Sequence, residues 1–302
     1  MENATVGTTL NEDTYHSFLN FENIVFLVTV LISLCGLAVN GIVIWLLGFV
    51  IKRNPFSVYI LNLASADFIF LLCAIVFFII FILKLQISIL VSLVVGLTIT
   101  SWLVDLSLVT AISFERCLSV LFPIWYRCRR PTYLSTVFCF LIWGLSFCSG
   151  MMECLCEQLE ALPCVLMYFV CYVLFPFALL VICVSSLILL IRVHCCSWRR
   201  QSNKLHLIVF LTVLIFLTCG FPLGVGIITC TISEVVPNCP IVLHICRLLS
   251  IVNSSVNPFI YFFVGRHRQK RVWKSLREVL QSALEDDSEP TSGVETQSSC
   301  TT

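Results

Sequence analysis

Seven stretches of this chain stay apolar for long enough to cross a bilayer, at about 24–50, 56–83, 87–121, 134–152, 165–191, 205–232 and 242–264. A helix rises about 1.5 Å per residue, so roughly 20 apolar residues span the hydrocarbon core. Backbone N–H and C=O groups inside lipid must be bonded within the spanning structure, and runs of this length satisfy them as helices. The expected fold class is therefore an all-α membrane protein, a seven-transmembrane helix bundle. Composition agrees: 59% of residues are hydrophobic and 12% are charged, where a soluble domain carries about 25% charged residues.

Orientation follows from lysine and arginine. Sixteen of the 18 basic residues fall at one alternating set of positions, from Lys52 and Arg53 through Arg116 and Arg127–Arg130 to Arg266–Arg277, and only Lys84 and Arg247 fall in the other. The basic set is expected in the cytoplasm. An odd number of spans then puts the N-terminus outside the cell, in a multi-pass protein of the plasma membrane. The outer side is acidic instead: Glu2, Glu12, Asp13, Glu22, Glu153, Glu157, Glu160 and Glu234. Such a field concentrates cations near the outer mouth.

The expected organisation has four parts: an extracellular tail (1–23), the seven-span domain (24–264), an amphipathic membrane-surface helix (265–284) and a disordered cytoplasmic tail (285–302). Residues 1–20 lack the regions of a cleavable signal peptide, so the first span is expected to act as its own anchor. Asn3-Ala4-Thr5 is a glycosylation sequon on that outer tail. In the 265–284 segment Val272, Trp273, Leu276, Val279 and Leu280 recur at helical spacing among basic residues, which fits a helix held on anionic membrane lipid. The last segment is acidic and rich in Ser and Thr, a composition that buries no core.

A charge at the centre of a membrane helix costs about 2.5–3.5 kcal/mol on insertion scales and needs a reason to be there. Asp67 and Asp105 are two such residues, and Asn40, Asn62, Asn253 and Asn257 are also within spans. No basic arm for nucleic acid is visible. A transporter would show half-helices and paired repeats near the midplane, and the seven uneven spans show neither. The five histidines are scattered over both faces, with no acid at metal-ligand spacing, so the chain is not read as an enzyme.

The order of the polar residues is more specific than any one of them. Asn40-Gly41 lies in the first span, Asn62 to Asp67 in the second, Glu115-Arg116-Cys117 at the end of the third and Trp143 in the fourth. Pro176 and Pro222 lie in the fifth and sixth, and Asn257-Pro258-Phe259-Ile260-Tyr261 in the seventh. Span by span, this resembles the rhodopsin-like class of G-protein-coupled receptors. The resemblance implies that Arg116 meets a heterotrimeric G protein when the sixth helix tilts outward, with Glu115 as its counter-charge at rest. Pro222, Asn257, Pro258 and Tyr261 would serve that switch. It implies an interior sodium ion at Asp67, Asn253, Ser254 and Asn257, and no other cofactor. Asp105 departs from the class at its position. It is expected close to Asp67, where two carboxylates either share a proton or hold a cation. The tail's Ser and Thr residues would accept phosphate and recruit arrestin.

Finer features resemble the Mas-related subfamily. They are Trp45 to Phe49, Glu115 to Leu121, Pro123 to Pro131 and Cys219-Gly220-Phe221-Pro222-Leu223-Gly224. Most of the class has tryptophan where this chain has Gly220. The disulfide that usually ties the third helix to the second outer loop is absent, because Val91 stands at its place. The subfamily links the fourth helix to the fifth instead, which implies Cys156 with Cys164, or Cys154 in place of Cys156; Cys239 with Cys246 is a further outer pairing. The resemblance also implies ligands that are basic peptides or cationic amphiphiles, held by Glu153. Tyr168 stands where the subfamily has a second acid. Thr98 stands where amine receptors carry aspartate, and Gly220 leaves the pocket floor less filled. Signalling through Gq or Gi classes would follow; a decoy receptor that binds without signalling is the alternative.

Overall fold

A computed structural model of the chain describes residues 3–51, 54–85, 87–131, 133–156, 173–195, 203–232, 239–267 and 276–284. These residues form helices joined by short turns. In chain order they are α1 (Asn3–Trp45), α2 (Pro55–Ile82), α3 (Ser88–Leu121), α4 (Pro123–Cys128), α5 (Leu134–Cys156), α6 (Phe175–Cys195), α7 (Asn203–Ile215), α8 (Phe221–Ile232), α9 (Cys239–His267) and α10 (Leu276–Leu284). Five helical segments are long and apolar enough to cross a membrane: Ile24–Val50, Pro55–Ile82, Ser88–Leu121, Leu134–Met152 and Leu205–Thr229. The fifth span contributes the apolar stretch Phe175–Leu189, and the seventh is α9, whose apolar run is broken by Arg247, Asn253 and Asn257.

Where they are described, the ends of the spans lie near the expected boundaries; the start of the fifth, expected at 165, lies outside the described residues. α1 continues outward through the polar segment as far as Asn3, so helix and outer tail are one element. At the other end α9 runs to His267, and within the amphipathic segment Leu276–Leu284 is a helix; residues 268–275 lie outside the described set. Leu280 and Leu284 of α10 are buried.

Local chemistry explains several of the ends. Asn54 caps α2 through a reciprocal box: its Oδ1 accepts from the Ser57 N–H at 2.7 Å, and Ser57 Oγ accepts from the Asn54 N–H at 2.8 Å. Pro55 follows at the first helical position, where its missing N–H costs nothing. The Asn54 amide also donates to the Leu284 carbonyl at 2.9 Å, satisfying an otherwise orphaned end of α10.

The sixth span is divided by a π turn over Phe216–Gly220, closed by the Phe221 N–H on the Phe216 carbonyl. Pro222 follows at once. A proline cannot donate to the carbonyl four residues back and its ring crowds that carbonyl, and widening the preceding turn by one residue relieves both.

The core runs through α2, α3, α7 and α9, with Tyr59, Leu63, Leu108, Ile208 and Tyr261 almost fully enclosed. Outward faces stay apolar, as lipid requires: Phe49, Phe140 and Phe177 are largely exposed. Cys246 is a free, buried thiol, which corrects the expected pairing with Cys239. Both residues sit on α9, seven positions apart, about 10 Å along the axis and beyond the reach of a disulfide.

Helices approach closely where side chains are small. A Cβ added to Gly36 would collide with Ser255 Oγ and lie 2.7 Å from Leu71 Cδ1, whereas one added to Gly144 meets nothing within 4 Å. Gly36→Val is therefore expected to destabilise the bundle by about 1–3 kcal/mol, the usual cost of overpacking. Gly144→Ala should be neutral. Thermal unfolding of the purified variants checks both.

Candidate functional site: a polar interior and a cytoplasmic clasp

Two carboxylates lie in the middle of the bundle, each held by an asparagine of α9. Asp67 Oδ2 on α2 accepts from Asn257 Nδ2 at 2.9 Å, and Asp105 Oδ2 on α3 accepts from Asn253 Nδ2 at 3.1 Å. Asn253 and Asn257 are four residues apart on one helix, so the two rungs stack just over one turn, about 6 Å, from each other. Asp105 therefore joins Asp67 in the same polar layer, as its spacing from Arg116 predicts. Asn40 on α1 extends the layer by donating to the Ser254 carbonyl at 3.0 Å.

The layer has more acceptors than donors. Asp67 Oδ1, Asp105 Oδ1, Asn253 Oδ1 and Asn257 Oδ1 are all buried without a hydrogen-bond partner. An orphaned buried oxygen costs about 1–3 kcal/mol, and a hard cation is the partner such oxygens suit. The donor set of Asp67, Asp105, Asn253 and Asn257 thus fits the expected sodium ion. Ser254 is buried beside them; its side chain hydrogen-bonds to Asp67, and its carbonyl accepts from Asn40.

At the cytoplasmic end the structure corrects one expectation. Glu115 does not pair with Arg116. Its carboxylate forms a salt bridge to Arg130 Nη2 at 2.7 Å and accepts from the Tyr59 hydroxyl at 2.6 Å and the Tyr126 hydroxyl at 3.3 Å. Arg130 also donates to Ser135 Oγ at 2.5 Å. Adjacent residues on a helix point about 100° apart, and here Glu115 is turned toward Arg130 and Tyr59 while Arg116 lies over Phe56. Burial lifts the Tyr126 phenol above its ordinary range, which keeps it a donor. Burial opposes the Arg130 charge, yet the hydrogen bond and charge of Glu115 outweigh it and hold the guanidinium above its usual value.

Arg116 is left buried with its guanidinium carbon 4.3 Å from the Phe56 ring centroid and its Nε without a partner. Tyr261 is equally enclosed, its hydroxyl unbonded. Pro258 lies inside α9 between these groups and the polar layer. On the neighbouring face, the Asn62 side-chain carbonyl accepts from Trp143 Nε1 at 3.0 Å, joining α2 to α5.

In the outer half, Gly220 lies in the π turn. A Cβ there would sit 2.8 Å from the Phe216 ring and 3.3 Å from Asn253 Nδ2, so a larger side chain would require both to shift. The space above is taken by Trp102 of α3, whose Nε1 donates to the Gly220 carbonyl at 3.3 Å. Trp102 packs on Phe175, and Phe175 stacks on Phe221 at 5.4 Å. The floor that Gly220 leaves open is thus filled from α3 and α6. Thr98 lines a cavity that contains Arg247, Phe77 and Trp102 but not Gly220.

Glu153 is on the last turns of α5, with its side chain outside the described residues; the same holds for Cys154 and Cys156. Tyr168 and Cys164 lie wholly outside the described residues, and Asn3 is described in its backbone alone. The sequence reading missed Arg130, Tyr59 and Tyr126 as partners of Glu115, and Trp102 as the cover over Gly220.

The chain matches the family described as 7 transmembrane receptor (rhodopsin family) over residues 39–261. It is 41% identical over 274 residues to Mas-related G-protein coupled receptor member X1 of Homo sapiens, covering 88% of this chain and 84% of that protein. It is 41% identical over 276 residues to member A6 of Mus musculus, covering 87% and 91%.

The Glu115 cluster makes a quantitative expectation. Arg130→Met strands a buried carboxylate and should cost about 3–5 kcal/mol. Tyr59→Phe removes one bond to a charged acceptor and should cost about 1.5–3 kcal/mol. Arg129 is exposed, so Arg129→Met should change little. Thermal unfolding of the three purified variants gives the order.

Proposed function

The chain belongs to the Mas-related family of rhodopsin-like G-protein-coupled receptors, and from that membership we propose that it answers basic peptides or cationic amphiphiles outside the cell by activating G proteins of the Gq or Gi class. It is a membrane receptor and not an enzyme. The cationic preference is supported by the outer surplus of acids over bases, Glu153 among them. Long-range attraction by such a surface raises the rate of encounter with cations. Glu153 is the proposed anchor, with Tyr168 offering a cation–π face beside it.

In the proposed resting state the Glu115–Arg130 pair clasps α3 to the turn before α5, and Arg116 rests on Phe56. Outward movement of the sixth helix, articulated at Phe216–Gly220 and Pro222, opens the cytoplasmic mouth. Arg116 then meets the G protein, and the Tyr261 hydroxyl finds a partner in the opened space. A sodium ion between Asp67, Asp105, Asn253 and Asn257 would stabilise the closed layer by supplying the missing positive charge. Positive-inside sorting supports an extracellular N-terminus at the plasma membrane, with glycan on Asn3. The Cys156–Cys164 disulfide, arrestin at the phosphorylated tail and lipid beneath 265–284 complete the reading.

Calcium and cyclic-AMP responses in expressing cells test the signalling. Arg116→Ala should abolish the response at equal surface expression, and Glu153→Gln should weaken basic ligands by tenfold or more. Full signalling by Arg116→Ala would overturn the coupling role; an unchanged ligand series in Glu153→Gln would remove the anchor. The sodium site has its own readout. Replacing choline by sodium should raise the unfolding temperature of the purified receptor, and Asp67→Asn or Asp105→Asn should abolish that difference.

A further inference from the structure

A cavity of about 200 Å³ opens in the outer half of the bundle, between α2, α3, α8 and α9. Its walls include Phe70 and Phe77 from α2, Thr98 and Trp102 from α3, Leu223 from α8 and Arg247 from α9. Among the described residues, every charged or polar group there has a hydrogen-bond partner except one. Thr98 donates to its own helix at Val94, and Trp102 is committed to Gly220. Arg247 remains, half-buried, with its guanidinium carbon 5.0 Å from the Phe77 ring centroid. That contact uses the face of the guanidinium and leaves the in-plane N–H fork for an acceptor.

Among the described residues, no carboxylate lines the cavity. The two acids deeper in the bundle, Asp105 and Asp67, are engaged by Asn253 and Asn257. Those asparagines stand six and ten residues deeper along α9, about 9 and 15 Å away. An ionised side chain within a span marks a functional site unless paired, and arginine recognises planar anions through two parallel hydrogen bonds. The volume lies below the roughly 300–1,000 Å³ of drug-sized sites, so the occupant is small.

We propose that this cavity binds a small apolar molecule bearing one carboxylate or sulfonate, its anion on Arg247 and its apolar body between Phe70, Phe77 and Trp102. The site differs from the Glu153 region in both position and sign of charge. It does not rest on the cationic ligands proposed above. A free small acid and the C-terminal residue of a peptide offer the same chemistry.

The test uses the purified full chain without G protein, so a silent signalling assay leaves it unaffected. Phenylbutanoate, its amide and phenylbutylamine are titrated while thermal unfolding is followed. The carboxylate should raise the unfolding temperature, and the neutral and cationic counterparts should not. Arg247→Gln should weaken the effect tenfold or more, and Arg247→Lys should retain part of it. Leu223→Trp, which fills the cavity without touching the charge, should abolish it and carries the test if the Arg247 variants fold poorly. A short peptide ending in phenylalanine, as free acid and as amide, separates the two sources of the carboxylate. Equal stabilisation by the amine, an undiminished effect in Arg247→Gln and Leu223→Trp, or no effect from any carboxylate would each overturn the proposal.

Discussion

Apolar side chains gain little when they leave lipid for another helix, because lipid tails are as apolar as leucine. What decides which helix faces turn inward is the set of groups that lipid cannot satisfy. In this receptor those groups form a ladder. Asn40 reaches from α1 to the Ser254 carbonyl, Asp67 from α2 to Asn257, and Asp105 from α3 to Asn253. Trp143 reaches from α5 to Asn62, and Trp102 from α3 to the sixth span at Gly220. α9 receives three of these rungs, so the seventh span is tied by hydrogen bonds to α1, α2 and α3.

The ladder binds the resting arrangement without filling it. Five of its oxygens have no donor, and Arg116 and Tyr261 are enclosed with polar atoms unbonded. Buried groups in that condition favour any state, or any ion, that satisfies them. A tight apolar core would hold one conformation; a polar interior short of donors is poised between two. The cytoplasmic clasp works in the opposite sense, since Glu115 has three partners and little to gain by moving.

Much of this was readable in the residues. Spans follow from length and hydropathy, and the pairing of Asp67 with Asp105 follows from counting along α3. The Glu115 partner was not read correctly, although helical geometry carries a signal: neighbours in sequence face apart, so a counter-charge for Glu115 had to be sought elsewhere. Arg130 lies beyond a turn and a short helix, and no local pattern points to it. Trp102 covering Gly220 was invisible for a different reason, because two helices distant in sequence must first be packed before a missing side chain on one can be matched by a large one on the other. Arg247 did carry a signal of its own as a lone outer base within a span.

The π turn at Phe216–Gly220 has a consequence for how the sixth helix can move. One surplus residue offsets its outer part, with Leu223 and Ile227 on the cavity, from its inner part, with Ile208 and Val213 in the core. If that turn tightened to ordinary α-helical pitch, the inner part would swivel by about 100° relative to the outer one. A stored residue of this kind lets the cytoplasmic half exchange its buried stripe for another without dislodging anything seated above it.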